Sequence, residues 1–302
     1  MSSRRRRRDG ALDRGGEWLV YAVGRAGGYA ARGLGLWRAC RLAHALGGRL
    51  IAALPGPRRR LHDNLARVYP EMPATERRRL AREAAGHFAR LCIEYVNLDL
   101  FVRDLRLSVS GMGHLDRPRA EGRGVLIVTA HYANWEALRL ACQRAGHECA
   151  IIYRAFNNRY VDRFTLRLIG LCGEPVLQKG PAGLRALTSH LKAGGVALVL
   201  VDQRTTGAPR LDFLGHPAET LTVAASLARR TGAALVPARA RRGPEDGRFE
   251  VAIEPAVPEG EPEAMMAAVN ARISAWIAEA PEQWFWLHRR WRTRTPKHTR
   301  RR

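Results

Sequence analysis

The sequence predicts an α/β fold: a mixed, largely parallel central sheet flanked by helices, with a helical N-terminal region ahead of it. Two patterns carry this. After Gly111, short apolar or β-branched runs alternate with helical stretches, the rhythm of strands linked by crossover helices. Before Gly111 the chain reads as helix throughout. A third observation concerns use rather than fold. Several of the apolar runs end in polar residues, at the sheet edge where α/β proteins bind ligands.

Each element has its own signal. Residues 1–13 are basic, with Arg4 to Arg8 in one run, and read as a disordered tail. Trp18 to Leu54 is rich in Trp, Leu, Tyr and Arg and suits a helix or helix pair. Pro55-Gly56-Pro57 breaks it. A helix near 58–67 follows, then a long one near 74–98 entered through Pro73. Strands are expected at 124–130, 148–153, 174–177, 196–202, 233–239 and 249–254. Helices are expected near 134–145, 158–170, 181–193 and 218–230, with a last one near 261–279. The resulting organisation is a basic tail (1–13), a membrane-associating helical region packed on the core (14–100), an α/β core (101–295) and a second basic tail (296–302).

Composition bounds the function. The chain has 302 residues, 46% of them hydrophobic, enough for a sizeable core and against wholesale disorder. A formal net charge of +23 calls for an anionic partner: nucleic acid, anionic lipid or an acidic carrier protein. Heavy use of Arg over Lys shows that coding bias contributes to the excess. The five cysteines are scattered without CxxC spacing, so neither a metal site nor a disulfide framework is indicated. Arginines 25, 32, 38, 41 and 49 interrupt the N-terminal apolar stretch, leaving no window of about 20 uncharged residues for a membrane span. An arm lying on an anionic bilayer surface and an ordinary amphipathic packing helix both fit.

The chemistry concentrates in Gly124-Val-Leu-Ile-Val-Thr-Ala-His131-Tyr-Ala-Asn-Trp-Glu136. A buried strand hands over to a helix at His131, and Glu136 follows at a distance that lets its carboxylate fold back on the imidazole. A carboxylate on one ring nitrogen leaves the other free to take a proton. No Ser or Cys stands nearby as nucleophile, so the indicated chemistry is deprotonation of a substrate hydroxyl. A second cluster, Tyr153-Arg154-Ala-Phe-Asn157-Asn158-Arg159, follows the next strand with groups suited to phosphate or carboxylate. A third, Asp202-Gln203-Arg204, ends the apolar run from Val196. The fourth is Pro281-Glu-Gln-Trp-Phe-Trp-Leu-His288-Arg289-Arg290-Trp291. Its interleaved aromatics and arginines suit stacking on single-stranded bases, a membrane interface or a lid over the site. His216, beside Pro217, reads as structural.

Taken in order, these blocks resemble the late acyltransferases of lipid A biosynthesis, the lauroyl and myristoyl transferases of the lysophospholipid-acyltransferase-like superfamily, and the mycobacterial enzymes that acylate phosphatidylinositol mannosides. The matching blocks are His131-x4-Glu136, Tyr153-Arg154 with Asn157, Asp202-Gln203, Phe213-Leu-Gly215 with Thr220, and Pro281 to Trp291. Upstream, Asn64-Leu65 and Tyr69-Pro70-Glu71 are similar to the family's Asn-Leu and Phe-Pro-Glu segment. Two departures stand out: Ala155 replaces a usual proline, and Arg204 replaces a frequent acid.

The resemblance implies a glycerolipid-acyltransferase-like fold. It also implies transfer of an acyl chain from acyl carrier protein, or from acyl-CoA, to a hydroxyl of a lipid A precursor, for instance that of a 3-hydroxyacyl chain. The place would be the cytoplasmic face of the inner membrane, with the protein peripheral or monotopic. His131 would be the general base and Glu136 its orienting carboxylate. Arg154, Asn157, Arg159, Asp202, Gln203 and Arg289 would bind substrate, with Arg154 or backbone N–H groups near 131–134 facing the oxyanion. No cofactor or metal is implied. Another glycolipid or a lysophospholipid is the alternative acceptor. A basic nucleic-acid-binding protein is the alternative of a different class, and it leaves the His131 block unexplained.

Overall fold

The computed structural model describes the backbone of residues 2–291 and the side chains of residues 15–291. The N-terminal part is helical: α1 (Ser2–Leu34), α2 (Leu36–Ala53), α3 (Pro55–Val68), α4 (Ala74–Val96) and α5 (Leu98–Asp104). The core continues with β1 (Arg106–Ser110), α6 (Gly113–Ala120), β2 (Val125–Thr129), α7 (Glu136–Arg144), β3 (Cys149–Tyr153), α8 (Arg159–Ile169), β4 (Val176–Gln178), α9 (Pro181–Lys192) and β5 (Val196–Leu200). Then come β6 (Arg210–Phe213), β7 (His216–Glu219), α10 (Val223–Thr231), β8 (Ala234–Arg242), β9 (Arg248–Ile253) and α11 (Pro262–Glu279).

Seven strands form one sheet in the order β1-β9-β8-β2-β5-β3-β4. β8, β2, β5, β3 and β4 run parallel; β9 is antiparallel to β8, and β1 runs with β9. This is the expected mixed, largely parallel sheet. β2 sits at its centre and all five of its residues are buried, which is why it reads as an uninterrupted apolar run rather than an alternating one.

Several features differ from expectation. α1 begins at Ser2, so the segment read as a disordered tail lies in its first turns; Arg and Ala are good helix formers and simply extend the amphipathic helix behind them. The expected tail 296–302 lies outside the described residues. β1 and α6 carried too few apolar residues to be recognised. The helix expected from 218 starts only at Val223, because His216–Glu219 pairs antiparallel with Arg210–Phe213 around Leu214-Gly215.

The helical region is fastened to the core at defined points. α2 crosses α4 closely at two glycines: a Cβ on Gly48 would stand 2.7 Å from the Arg82 carbonyl, and one on Gly86 would stand 2.8 Å from the His44 carbonyl. The buried Glu94 of α4 is bidentate to Arg242 at the end of β8 and also takes an N–H of Asn134 at 3.1 Å.

Candidate active site

The strand register builds the site. β2 and β5 pair with Thr129 opposite Leu200, and the ladder continues as Val201 donates its N–H to the Thr129 carbonyl at 3.0 Å. His131 and Asp202 each lie two residues past that pair, so they meet at the carboxyl edge of the sheet. Asp202 Oδ1 stands 2.7 Å from His131 Nδ1, and its Oδ2 accepts the His131 backbone N–H at 3.0 Å. Trp284 donates its indole N–H to the same Oδ2 at 2.8 Å. Asp202 is only 3% exposed. Burial pushes its carboxyl up, but the charge of His131 and the three hydrogen bonds outweigh that and hold it down at about 2.

A carboxylate can only accept here, so Nδ1 carries the proton and Nε2 is the nitrogen left to exchange one with a bound group. The imidazole is partly exposed (21%) and is flanked by Trp135, at 5.0 Å between ring centroids, and by Phe285 at 6.1 Å. The Gln203 amide nitrogen stands 3.3 Å from Nε2. An imidazole with one nitrogen held by a buried carboxylate and the other facing outward is arranged to take a proton from a bound hydroxyl.

The carboxylate beside the imidazole is therefore Asp202 and not Glu136, a correction to the sequence reading. Glu136 is the first residue of α7 and is fully buried. It accepts the Tyr95 hydroxyl at 2.8 Å and pairs with the equally buried Arg139 at 2.7 Å. Arg139 in turn donates to the carbonyls of Cys149, Ile169 and Gly173. A helix begun near 134, as the sequence predicts, would bring Glu136 back toward His131. Instead Ala133 takes φ +47° and the helix starts only at Glu136, which points into the scaffold. Asp202, expected to touch substrate, has both oxygens engaged within the protein.

The loop's backbone is also largely committed. The N–H of His131 goes to Asp202, that of Tyr132 to the Ala130 carbonyl, and that of Ala133 to the Gln283 carbonyl at 2.8 Å. Three of the four N–H groups considered for an oxyanion are thus occupied.

The other expected residues are distributed along the edge. Arg154 and Asn157 are exposed after β3, on the same carboxyl edge, since β3 lies beside β5. Arg159 is exposed and donates to Tyr160 at 2.8 Å. The neighbouring Asn158 caps α8, accepting from Tyr160 and Val161 N–H. Arg289 is exposed and lines a separate cavity beside α3. Arg204, standing where an acid is frequent, lies 3.6 Å from Glu219. His216 donates its Nε2–H to the Arg67 carbonyl at 2.8 Å, which is the structural role expected of it.

The closing segment is a clasp. Trp284, Trp286 and Trp291 are buried against one another and Phe213, which leaves none of the three to stack on a base. Phe285 N–H donates to the His131 carbonyl at 2.9 Å. Gln283 exchanges two hydrogen bonds with the Arg242 backbone. His288 accepts the Arg204 N–H at 3.0 Å, and burial lowers its pKa, consistent with a neutral ring. Asn64 of α3 donates to the carbonyls of Trp286 and His288 at 2.7 and 2.8 Å. Sequence reasoning found this segment but missed what it does. Trp284's donor role, Tyr95 beneath Glu136 and the rings around His131 had no signal in spacing.

The chain is 29% identical over 268 residues to a lipid A biosynthesis lauroyltransferase of Escherichia coli K12, covering 84% of this chain and 85% of that protein. It is 28% identical to the lipid A biosynthesis palmitoleoyltransferase of the same strain over 265 residues, covering 82% and 84%. It is 27% identical over 262 residues to the phosphatidylinositol mannoside acyltransferase of Mycobacterium tuberculosis H37Rv, covering 84% and 83%. The profile of bacterial lipid A biosynthesis acyltransferases matches residues 7–293, from α1 through the closing clasp, and the chain belongs to that family.

Proposed function

We propose that the protein transfers a fatty acyl chain from acyl carrier protein to a hydroxyl of a membrane glycolipid of the lipid A precursor type, with His131 as general base. The observation that carries this is the His131–Asp202–Trp284 chain: a base oriented by a buried, ionised carboxylate, with no Ser or Cys hydrogen-bonded to the imidazole among the described residues. Nε2 takes the proton of the acceptor hydroxyl as its oxygen attacks the thioester carbonyl. The tetrahedral intermediate collapses with cleavage of the C–S bond, and the imidazolium returns its proton to the departing thiolate. Asp202 stabilises the imidazolium, and the Gln203 amide, whose nitrogen stands 3.3 Å from Nε2, is the donor we assign to the oxyanion. Glu136 serves this reaction from behind, through its buried ion pair with Arg139 at the start of α7. Arg154, Asn157 and Arg159 stand on the same edge, where they suit an anionic acceptor or donor group.

The relatives' names include both lipid A and phosphatidylinositol mannoside acyltransferases, which supports a glycolipid acceptor. The net charge of +23 supports attraction of an acidic carrier protein and of an anionic bilayer alike.

The bilayer contact falls to the arm. No helix among the described residues is long and apolar enough to cross a membrane. Yet Trp18, Leu19, Val20, Val23 and Tyr29 of α1, and Leu46 and Leu50 of α2, are more than half exposed. An apolar face this extensive, interleaved with arginines, suits a helix pair lying in the headgroup region. We place the protein there, peripherally, on the cytoplasmic face of the inner membrane.

The deciding experiment is acyl transfer from acyl carrier protein to a lipid A precursor in detergent micelles, followed by mass spectrometry. Wild type should add one acyl chain and His131→Ala none; near-wild-type transfer by that variant would falsify the assignment. Running the same assay with acyl-CoA identifies the donor.

A further inference from the structure

The Gln203 amide reaches the outer nitrogen of the base from a segment with little regular structure. The β2–β5 ladder ends where Val201 donates to the Thr129 carbonyl, and residues 202–209 belong to no helix or strand. Within 202–206, only Arg204 has its backbone N–H hydrogen-bonded to another described residue, and the acceptor is His288 Nε2 at 3.0 Å. Gln203 is exposed, and its side chain makes one polar contact among the described residues, the 3.3 Å approach to His131 Nε2. Its aim therefore depends on how firmly the turn beneath it is held.

His288 is itself fixed from several directions. Its carbonyl accepts from Asn64 of α3 at 2.8 Å and from the Arg290 N–H at 3.1 Å, and its own N–H donates to the Phe285 carbonyl at 3.3 Å. Phe285 in turn donates to the His131 carbonyl at 2.9 Å. The contacts close a circuit, running from His131 through Phe285 to His288, across to Arg204, and back through Gln203 to the imidazole. A backbone N–H can only donate, so the His288 nitrogen that meets it must carry a lone pair. Protonation of that nitrogen would set two donors against each other and open the circuit at its link to the turn.

We propose that His288 is a positioning residue for the acyl transfer, holding the Gln203–Arg204 turn against the base only while its ring is neutral. The inference deepens the proposed function, on which it rests for the reaction being served. The surroundings keep the ring neutral. Burial, the largest cause, holds the His288 pKa below its ordinary value; Asp202 opposes it, while His131, Arg290 and Arg204 act with it. The charge that forms on His131 during the reaction thus disfavours a second one on His288, and the turn stays held while the base carries its proton. In acid both rings become charged, and Gln203 loses its support together with the base.

The test compares two variants of the full chain. His288→Gln has an amide oxygen that can stand where Nε2 does and does not titrate; His288→Phe keeps a ring and loses the acceptor. In acyl transfer near neutral pH, His288→Phe should lower kcat about tenfold, the worth of one hydrogen bond, with KM for both substrates near the wild-type value. His288→Gln should stay near wild type. On the acid side the wild-type profile should fall by a similar factor beyond what ionisation of one base allows, and His288→Gln should follow a single ionisation. Wild-type kcat in His288→Phe, or the extra fall persisting in His288→Gln, would overturn the proposal. A second measurement needs no turnover. Nitrogen-15 NMR of the wild-type histidine rings should show His288 protonated at Nδ1 and bare at Nε2 near neutral pH, and the Gln203 side-chain amide signal should move with the His288 midpoint. A His288 protonated at Nε2 would overturn the proposal whatever the protein's activity. The expected ring state and coupled titration in a protein without acyl transfer would uphold the positioning of Gln203 and overturn only the reaction.

Discussion

Trp284 Nε1 donates to Asp202 Oδ2 at 2.8 Å, and the other oxygen of that carboxylate holds the imidazole of His131 at 2.7 Å. The base is thus oriented by residues from two widely separated stretches of sequence, one ending a central strand and one in the closing clasp. Asp202→Asn should keep the packing and lower acyl transfer by about 10²–10⁴, because the amide no longer selects the Nδ1–H tautomer or stabilises the imidazolium. The carboxyl of Asp202 is held below its ordinary value, so its contribution to stability is complete above the unfolded value of about 3.9 and is lost as pH falls through about 2. Acid titration of the fold by circular dichroism should show that loss in wild type and a shallower one in Asp202→Asn.

Glu136 and Arg139 are both fully buried and pair at 2.7 Å. Glu136→Gln leaves the guanidinium without its counter-charge and should cost about 3–5 kcal/mol in urea denaturation. Replacing the pair together, Glu136→Gln with Arg139→Met, should recover part of that loss and retain acyl transfer per folded molecule. A stable but inactive double variant would instead place Glu136 in the chemistry.

The exposed leucines of α2 offer a direct handle on the bilayer. Leu46→Glu with Leu50→Glu should reduce co-sedimentation with anionic vesicles severalfold while leaving the circular dichroism spectrum unchanged. Binding of the wild type should weaken with salt, in proportion to the arginines that share the face. Unchanged co-sedimentation of the double variant would remove the arm from the membrane contact.

His44 and His87 meet edge to face at 5.1 Å where α2 crosses α4. Burial lowers the pKa of both, of His87 well below its ordinary value, with Arg242 and Arg90 adding to the effect at His87. For a histidine shifted down, the unfolded chain binds the proton first. Stability is therefore complete above the unfolded value of about 6.5 and declines as pH falls below it. Melting temperature should drop between pH 7 and pH 5, and His87→Phe should flatten that slope. An unchanged slope in the variant would assign the acid sensitivity to other groups.

The centre of the sheet was legible because its strands are buried on both faces and so appear as continuous apolar, β-branched runs, Val125 to Val128 above all. The hairpin at 210–219 was not, because its four-residue strands contain Arg210, Asp212, His216 and Pro217 and carry no period. The site was half legible. His131 and Asp202 could each be placed at a strand end, but their meeting depends on β2 and β5 being neighbours in register, a fact of topology rather than spacing. Glu136 misled because a separation of five residues suggests contact only if the helix has already begun, and the positive φ of Ala133 delays it.

The amide of Asn64 has a further meaning. It reaches across more than two hundred residues to hold the carbonyls of Trp286 and His288, in the segment that also supplies the indole over Asp202. The boundary drawn near residue 100 is therefore no place to cut. A fragment beginning there would lose the hold on its own last turn and, with it, the orientation of the base. The same reasoning governs chimaeras: exchanging the helical arm for that of a relative also exchanges the latch of the catalytic edge, so arm and clasp must travel together.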